Sequence, residues 1–134
     1  MMAFIFLLSS CQRRFDFTLA QPEDQIVNIE IICVDSWLTY DPENTATFYI
    51  QWTIDPARYD AFLKELYQVP CYRYVNDPSQ AFGKNTIRVS FSDGSYELIG
   101  SATVYYETAT GDWEYPFCYF DKEAFERFIS DFSA

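Results

Sequence analysis

The 134-residue sequence contains no histidine. Histidine is the commonest general base, a frequent metal ligand and the activator of the nucleophile in Ser-His and Cys-His catalysis. Its absence excludes those mechanisms. The four cysteines form no CxxC pair, so a zinc site has no support either. We therefore expect no catalytic residue, no metal site and no cofactor.

Positive charge is also scarce, with 9 Lys and Arg against 20 Asp and Glu and a net charge of −11. Nucleic-acid binding needs positive charge that releases counterions, so we expect no nucleic-acid partner. The acidic balance suits a basic protein partner, and it is equally consistent with solubility alone, since net charge of one sign keeps small proteins apart. We expect a monomer.

Long hydrophobic runs are missing too. The N-terminal apolar run ends at Leu8, whereas a membrane-spanning helix needs ~20 such residues. It has the character of the apolar region of a signal peptide, and Ser9 and Ser10 are small, as at a cleavage site. The order Leu8-Ser9-Ser10-Cys11 resembles the lipobox of bacterial lipoproteins at every position. Alternatively, residues 4–8 form a first strand or helix of the core.

The resemblance implies cleavage before Cys11, lipid attachment at Cys11 and anchoring on the outer face of a bacterial membrane. It divides the chain into a signal peptide (residues 1–10), a lipidated cysteine with a short tether (residues 11–24) and one globular domain (residues 25–134). Two or more acyl chains would hold the protein stably on the membrane.

Three cysteines remain for the domain in this interpretation. Cys33 lies among apolar residues of a predicted strand and is expected to be a buried free thiol, as cysteine often is. An exported protein can form disulfides, so elimination leaves Cys71–Cys118 as the predicted bridge.

Period-two alternation predicts two strands in the first half of the domain. Their inward positions are Val27, Ile29, Ile31 and Cys33 in residues 25–34, and Phe48, Ile50, Trp52 and Ile54 in residues 45–54. Asp55-Pro56 then predicts the start of a helix, because an acidic N-cap precedes a proline at the first helical position. Val69-Pro70 ends this helix, and residues 71–75 form a short third strand.

The second half is predicted to contain two hairpins and a helix. Asp93-Gly94 between alternating runs is typical of a two-residue hairpin loop, with Ile87, Val89, Phe91, Tyr96 and Leu98 facing the core. Residues 102–107 and 113–120 form the next hairpin, and Pro116 places the last strand at an edge or at a bulge. Asp121 caps the final helix. The predicted fold is therefore α+β, an antiparallel meandering sheet of six to seven strands with two helices packed on one face.

Aromatic residues are abundant, including 11 tyrosines. Trp113, Tyr115, Phe117 and Tyr119 alternate along one strand and are expected to face the core. One small core cannot give every tyrosine hydroxyl a hydrogen-bond partner, so some tyrosines must reach the surface. Because tyrosine is common in binding hot spots, the predicted partner-binding residues are Tyr72, Tyr74, Tyr105 and Tyr106.

Acidic side chains are the remaining candidates for catalytic or metal-binding residues. Glu107, Asp112 and Glu114 surround one hairpin, and Asp93 and Glu97 surround another. They are expected to be solvated, with a carboxylate-dependent hydrolase as the less favoured alternative. Asp41-Pro42-Glu43-Asn44 offers oxygen ligands but lacks the alternating frame of a calcium loop. The expected function is non-catalytic binding of a protein or envelope component; the alternative is an inhibitor or immunity-type protein that masks a basic site.

Overall fold

The computed structural model describes residues 13–74, 79–114 and 116–133. The strands are β1 (Ile26–Ser36), β2 (Phe48–Thr53), β3 (Cys71–Arg73), β4 (Ala81–Phe91), β5 (Tyr96–Ile99), β6 (Val104–Glu107), β7 (Trp113–Glu114) and β8 (Cys118–Phe120). The helices are α1 (Tyr59–Leu66) and α2 (Lys122–Asp131). Neither helix is long and apolar enough to cross a membrane, as holds for every helix in the described ranges.

Six strands form one antiparallel sheet in the order β2-β1-β4-β5-β6-β7, and β3 pairs with β8 in a second, two-stranded sheet. The prediction of an α+β fold with an antiparallel sheet and two helices is confirmed. The second sheet was not anticipated.

Both capping signals act at the start of a helical segment, and the first of these segments begins with a 3-10 turn. Asp55 Oδ1 accepts a hydrogen bond from the Ala57 amide at 2.9 Å, and a short 3-10 turn at Pro56–Arg58 leads into α1. Asp121 Oδ2 accepts from the Ala124 amide at 3.0 Å at the start of α2. These bonds satisfy amides that no preceding turn can reach. Each helix then buries three apolar residues: Phe62, Leu63 and Leu66 from α1, and Phe125, Phe128 and Ile129 from α2.

The six-stranded sheet is covered on both faces. On the helix side, Ile29, Ile31, Ile87 and Val89 join the main core with the helices and the small sheet. On the other side, a smaller cluster is covered by the connection between β1 and β2. It contains Ile32, Val34, Tyr40, Tyr96, Leu98 and Tyr105.

One irregularity in the first strand changes which residues face the core. The pairing of β1 with β4 shifts between Ile26 and Asn28, where β1 has one residue more than β4, and this extra residue breaks the alternation. Val27 is consequently 59% exposed, so its predicted inward position was wrong.

A second shift, between Ile32 and Val34, has its extra residue in β4 and leaves the alternation of β1 intact, because Ile32 and Val34 both join the smaller cluster. Cys33 is a half-buried free thiol, so its predicted full burial was wrong. In the edge strand β2, Ile50 is also exposed.

The hairpin at Asp93-Gly94 forms, but its loop is one residue longer than predicted. The Gly94 amide donates to the Phe91 carbonyl at 3.1 Å and the Phe91 amide to the Ser95 carbonyl at 3.0 Å, which leaves three residues in the loop. Gly94 takes the positive φ of 91° that such a loop requires. In this register Glu97 and Ile99 face the helix side, and Tyr96 and Leu98 face the opposite cluster.

The last predicted strand is split near Pro116. β7 ends at Glu114, and the chain then leaves the six-stranded sheet to form β8 beside β3. Phe117 has a φ of 55°, which interrupts the alternation, so Cys118 and Phe120 are buried instead. Trp113 and Phe117 are exposed and Tyr119 is half-buried, which corrects their expected core positions; Tyr115 lies outside the described residues.

Residues 13–25, the N-terminal segment, pack against the domain, which corrects the free tether predicted for residues 11–24. The Phe15 amide donates to the Cys71 carbonyl and the Arg73 amide to the Arg13 carbonyl, both at 2.9 Å, so the segment extends the small sheet. Phe17 and Leu19 are buried in the main core. From residue 13 onward, the segment is part of the fold.

We predict that Leu19→Ala lowers the free energy of unfolding by roughly 2 kcal/mol or more, because a buried leucine loses its packing. The matched change Leu38→Ala, at a residue that is 67% exposed, should stay within about 0.5 kcal/mol of the wild type. Urea unfolding measures both values. Equal stability of the two variants would contradict the docking of the N-terminal segment.

Candidate functional site

The first candidate surface lies on the outer side of the small sheet. Tyr72 and Tyr119 are direct partners across β3 and β8, with ring centroids 5.6 Å apart, and the Tyr74 ring lies 5.0 Å from that of Tyr119. We call these three half-buried residues the tyrosine face. The Tyr74 hydroxyl donates to the Ala102 carbonyl in the connection between β5 and β6. A groove of about 390 Å³ runs beside the rings and is also lined by Lys122.

One arginine side chain lies on the tyrosine face, and a second lies on the opposite face of the small sheet. The Arg14 guanidinium lies 5.8 Å from the centre of the Tyr72 ring. Arg73 alternates with Tyr72 and Tyr74, so its side chain is on the core side of the small sheet, 4.9 Å from the centre of the Phe15 ring. These distances are within the range of cation–π attraction. The surface therefore combines amphipathic rings with positive charge, in a chain whose net charge is strongly negative.

Two of the four predicted binding tyrosines do not belong to this surface. Tyr105 and Tyr106 are each only 6% exposed, which corrects the expectation that they lie at the surface. Tyr105 stacks on Trp37 with ring centroids 5.4 Å apart and donates to Glu107 Oε1 at 2.9 Å. On the opposite face of the sheet, the Tyr106 hydroxyl accepts from Gln21 Nε2 at 2.8 Å. Both hydroxyls thus have internal partners, unlike the expected free surface groups.

The second candidate surface is an open cleft of about 470 Å³, on the sheet face opposite the helices. We call it the acidic cleft. Its walls include Glu43 from the connection between β1 and β2, Glu107 from the end of β6 and the 108–111 turn. Tyr40, Arg88 and Tyr96 also line it. This volume falls within the range typical of small-ligand sites.

The charge of Arg88 is already neutralised within the protein. Its Nη2 and Nε donate to Glu30 Oε1 at 2.7 and 3.0 Å, and its Nη1 donates to the Tyr40 hydroxyl at 2.7 Å. A buried charge must be paired in this way to be tolerated. With Arg88 balanced by Glu30, the carboxylates of Glu43 and Glu107 give the cleft its negative sign.

The tyrosine hydroxyls near the cleft are uncharged at neutral pH. Burial raises the pKa of Tyr40, Tyr96 and Tyr105 above the ordinary value, and the nearby carboxylate of Glu107 raises it further. A ligand in the cleft therefore meets neutral hydroxyls together with carboxylates. That combination suits an amine or a guanidinium.

The tyrosine face and the acidic cleft lie at opposite ends of β5 and β6. The groove of the tyrosine face includes Ser101 and Ala102, which connect the two strands at one end. The cleft includes Gly94 and Ser95, just before β5, and the turn just after β6. The two surfaces also belong to different faces of the six-stranded sheet.

The predicted oxygen ligands at residues 41–44 serve the turn itself. Asp41 Oδ1 accepts from the Glu43 amide at 2.9 Å, and Asn44 Oδ1 accepts from the Ala46 amide at 3.0 Å. Asp112 is similarly engaged in its own turn through Thr110. In the described ranges, no group of three or more His, Cys, Asp or Glu residues is arranged to hold a metal ion.

Glu97 was expected to be solvated together with Asp93, and its burial corrects that prediction. Its carboxylate is buried on the helix side, where Oε1 accepts from the Ala20 amide of the N-terminal segment at 3.1 Å. Burial raises the pKa of Glu97 to about 8, and the charge of Glu114 acts in the same direction. It borders a cavity of about 310 Å³ with Tyr106 and residues 18–20. The sequence signal for this burial was Gly94, because a glycine at this position also fits a three-residue hairpin loop. A loop of that length sets the register that turns the Glu97 side chain toward the helices.

The predicted disulfide and the predicted lipidation site concern Cys71, Cys118 and Cys11. Cys71 and Cys118 are buried thiols on neighbouring strands, and they contact each other through a hydrogen bond. This contact and burial raise the pKa of Cys118. Their proximity is compatible with a bridge, and the disulfide stays a prediction. Cys11, the predicted lipidation site, lies outside the described residues.

The folded state should lose stability as the pH rises from about 4.5 to about 8 through Glu97. In this interval the folded protein retains a proton that the unfolded chain has released, so a rise in pH favours unfolding. The slope is at most roughly 1.4 kcal/mol per pH unit. When stability is measured by thermal unfolding across this pH range, it should decline less steeply with pH in Glu97→Gln than in the wild type. The control Glu126→Gln, on an exposed position of α2, should keep the wild-type slope; parallel profiles for all three proteins would contradict the prediction.

Comparisons with protein-family models, curated proteins and solved structures found no match for this chain. What the protein does is therefore inferred from its N-terminal sequence, the tyrosine face and the acidic cleft.

Proposed function

We propose that the protein is a lipid-anchored binding module on the outer face of a bacterial membrane, and that it binds a basic group of a protein partner without catalysing a reaction. The observation that carries the binding role is the acidic cleft. Glu43 and Glu107 face an open volume whose one guanidinium, that of Arg88, is balanced by Glu30.

The cleft has chemistry that complements a lysine or arginine side chain. Carboxylates form strong charge-assisted hydrogen bonds with ammonium and guanidinium groups. The Tyr96 ring and its neighbours offer aromatic surface on which a cation can also rest. The net charge of −11 would steer a basic partner toward the protein, and this attraction should weaken as salt is added.

The anchor is supported by sequence. Leu8-Ser9-Ser10-Cys11 matches the lipobox pattern, and Arg13, two residues further along the chain, is exposed. An acyl group at Cys11 would thus be attached next to an exposed part of the domain. The domain would carry the binding site and the lipid would set its location.

An inhibitor or immunity-type protein remains the second candidate, favoured by the same acidic charge. Such a protein would cover the basic site of one partner tightly. It would differ from a general binding module in its single partner and in a steep loss of affinity with salt.

The anchor is tested by expressing the full chain in a bacterial host beside Cys11→Ala. We expect the wild type to be cleaved before Cys11, to gain acyl mass and to enter the detergent phase. Cys11→Ala should lack the acyl mass and stay in the aqueous phase. Intact mass spectrometry and detergent partitioning measure both properties. A wild-type protein that keeps Met1 and carries no acyl group would contradict the anchor.

The cleft is tested with blocked amino acids as probes, using the Cys11→Ala chain in solution. N-acetyl-arginine methylamide should shift the amide NMR signals of residues 94–96 and 107–111, whereas the glutamate analogue should not. Glu43→Gln with Glu107→Gln should abolish the shifts, because the two carboxylates supply the attraction.

Glu65→Gln with Glu126→Gln removes the same charge from exposed helix positions and serves as the matched control. Shifts that persist in the cleft variant, or that vanish equally in the control, would count against the cleft. Hydrolytic activity that Glu107→Gln abolishes would replace the binding role by a carboxylate-dependent enzyme.

A further inference from the structure

Positive side chains are concentrated around the small sheet. Four of the nine lysines and arginines lie on it or next to it, all of them exposed: Arg13, Arg14, Arg73 and Lys122.

These four cations are divided between the two faces of the small sheet. Arg14 and Lys122 lie beside the tyrosine rings. Arg13 and Arg73, joined by the 2.9 Å bond from the Arg73 amide to the Arg13 carbonyl, lie on the opposite face. Neighbouring acidic residues in the sequence include Asp16, Asp121 and Glu123, and the Asp121 carboxylate is engaged in capping α2.

This positive surface lies where the chain leads to the proposed lipid. Cys11 is two residues before Arg13, and consecutive Cα atoms are 3.8 Å apart, so their Cα atoms are within ~8 Å in any conformation. Arg14, the residue after Arg13, forms an antiparallel backbone bridge with Tyr72. An acyl group at Cys11 in a bilayer would therefore bring this edge of the small sheet to the headgroups.

We infer that the tyrosine face rests on an anionic bilayer surface and fixes the orientation of the domain on the membrane. Tyrosine is enriched at membrane interfaces, because its ring enters the apolar boundary while its hydroxyl stays hydrated. Arginine and lysine are attracted to lipid phosphates. The groove beside Tyr74 and Lys122, about 390 Å³, has room for a headgroup. This inference rests on the lipid at Cys11 in the proposed function.

The rest of the charge distribution agrees with this orientation. The acidic cleft, with Glu43 and Glu107, lies at the far ends of β5 and β6 and on the other sheet face. An anionic surface repels these carboxylates and attracts the arginines, so both effects turn the domain the same way. The cleft would then be directed away from the lipids and open to a partner.

The experiment is hydroxyl-radical footprinting of the lipidated full chain in vesicles of phosphatidylcholine with phosphatidylglycerol. The unlipidated Cys11→Ser chain in solution provides the reference. We expect oxidation of Tyr72, Tyr74 and Tyr119 to fall several-fold on the vesicles. Trp113, which is exposed beside the cleft turn, should be oxidised equally in both samples and is the internal control.

Charge variants test the cause of the protection. Arg14→Gln with Lys122→Gln should restore much of the oxidation of the three tyrosines, because the two cations beside the rings no longer attract the headgroups. Lys64→Gln with Arg127→Gln removes two exposed charges from the helices and should leave the protection unchanged. Vesicles of phosphatidylcholine alone should give weaker protection than the anionic vesicles.

The outcomes separate this inference from the proposed function. If the intact mass shows acylation but the tyrosines are oxidised equally on vesicles and in solution, the orientation is wrong and the anchor stands. Protection that is unchanged in the variant Arg14→Gln with Lys122→Gln would also overturn the inference. If no acyl mass is found, the anchor fails, and the inferred membrane contact fails with it.

Discussion

The antiparallel ladder between β1 and β4 is the constraint on which the other elements depend. It joins the β1–β2 hairpin to the β4–β7 meander, and both of its faces are covered. Ile29 and Ile31 face the helices, whereas Glu30 lies directly opposite Arg88 on the other face. A slip of one residue would bury Glu30 among the helices without a partner, at a cost that apolar contacts cannot offset. The ion pair therefore fixes the register of the sheet and, through Tyr40, the loop that covers it.

The elements that the sequence predicts well are those decided by a few neighbouring residues. Asp55-Pro56 and Asp121 mark helix starts because a cap acts on amides two or three positions away. Strand faces depend on partners distant in sequence, and the alternation of Val27, Ile29 and Ile31 misleads at Val27, beside which β1 has one residue more than β4. A bulge costs little locally and exchanges the two faces beyond it, so no count of apolar residues along one strand reveals it.

The candidate sites also divide into residues whose surroundings are local in sequence and residues whose surroundings come from distant segments. The partial exposure of Tyr72 and Tyr74 was predicted correctly, because Tyr72 lies on the short outer strand β3 and Tyr74 directly follows that strand. Tyr105 and Tyr106 were misplaced because the groups that cover them, Trp37 and Gln21, come from the distant first third of the chain. The acidic cleft could not be found from sequence, since Glu43, Arg88 and Glu107 meet only when three separate segments converge.

The docking of the N-terminal segment also has a consequence for encounter with partners. A domain on a flexible linker sweeps a volume that grows with linker length, and its local concentration at any point falls accordingly. With Phe17 and Leu19 held in the core, almost no slack remains between Arg13 and the proposed lipid at Cys11. Diffusion would then be confined to two dimensions, with the cleft kept at one height above the bilayer. Partners whose basic groups lie at that height would be favoured over equally basic molecules free in solution.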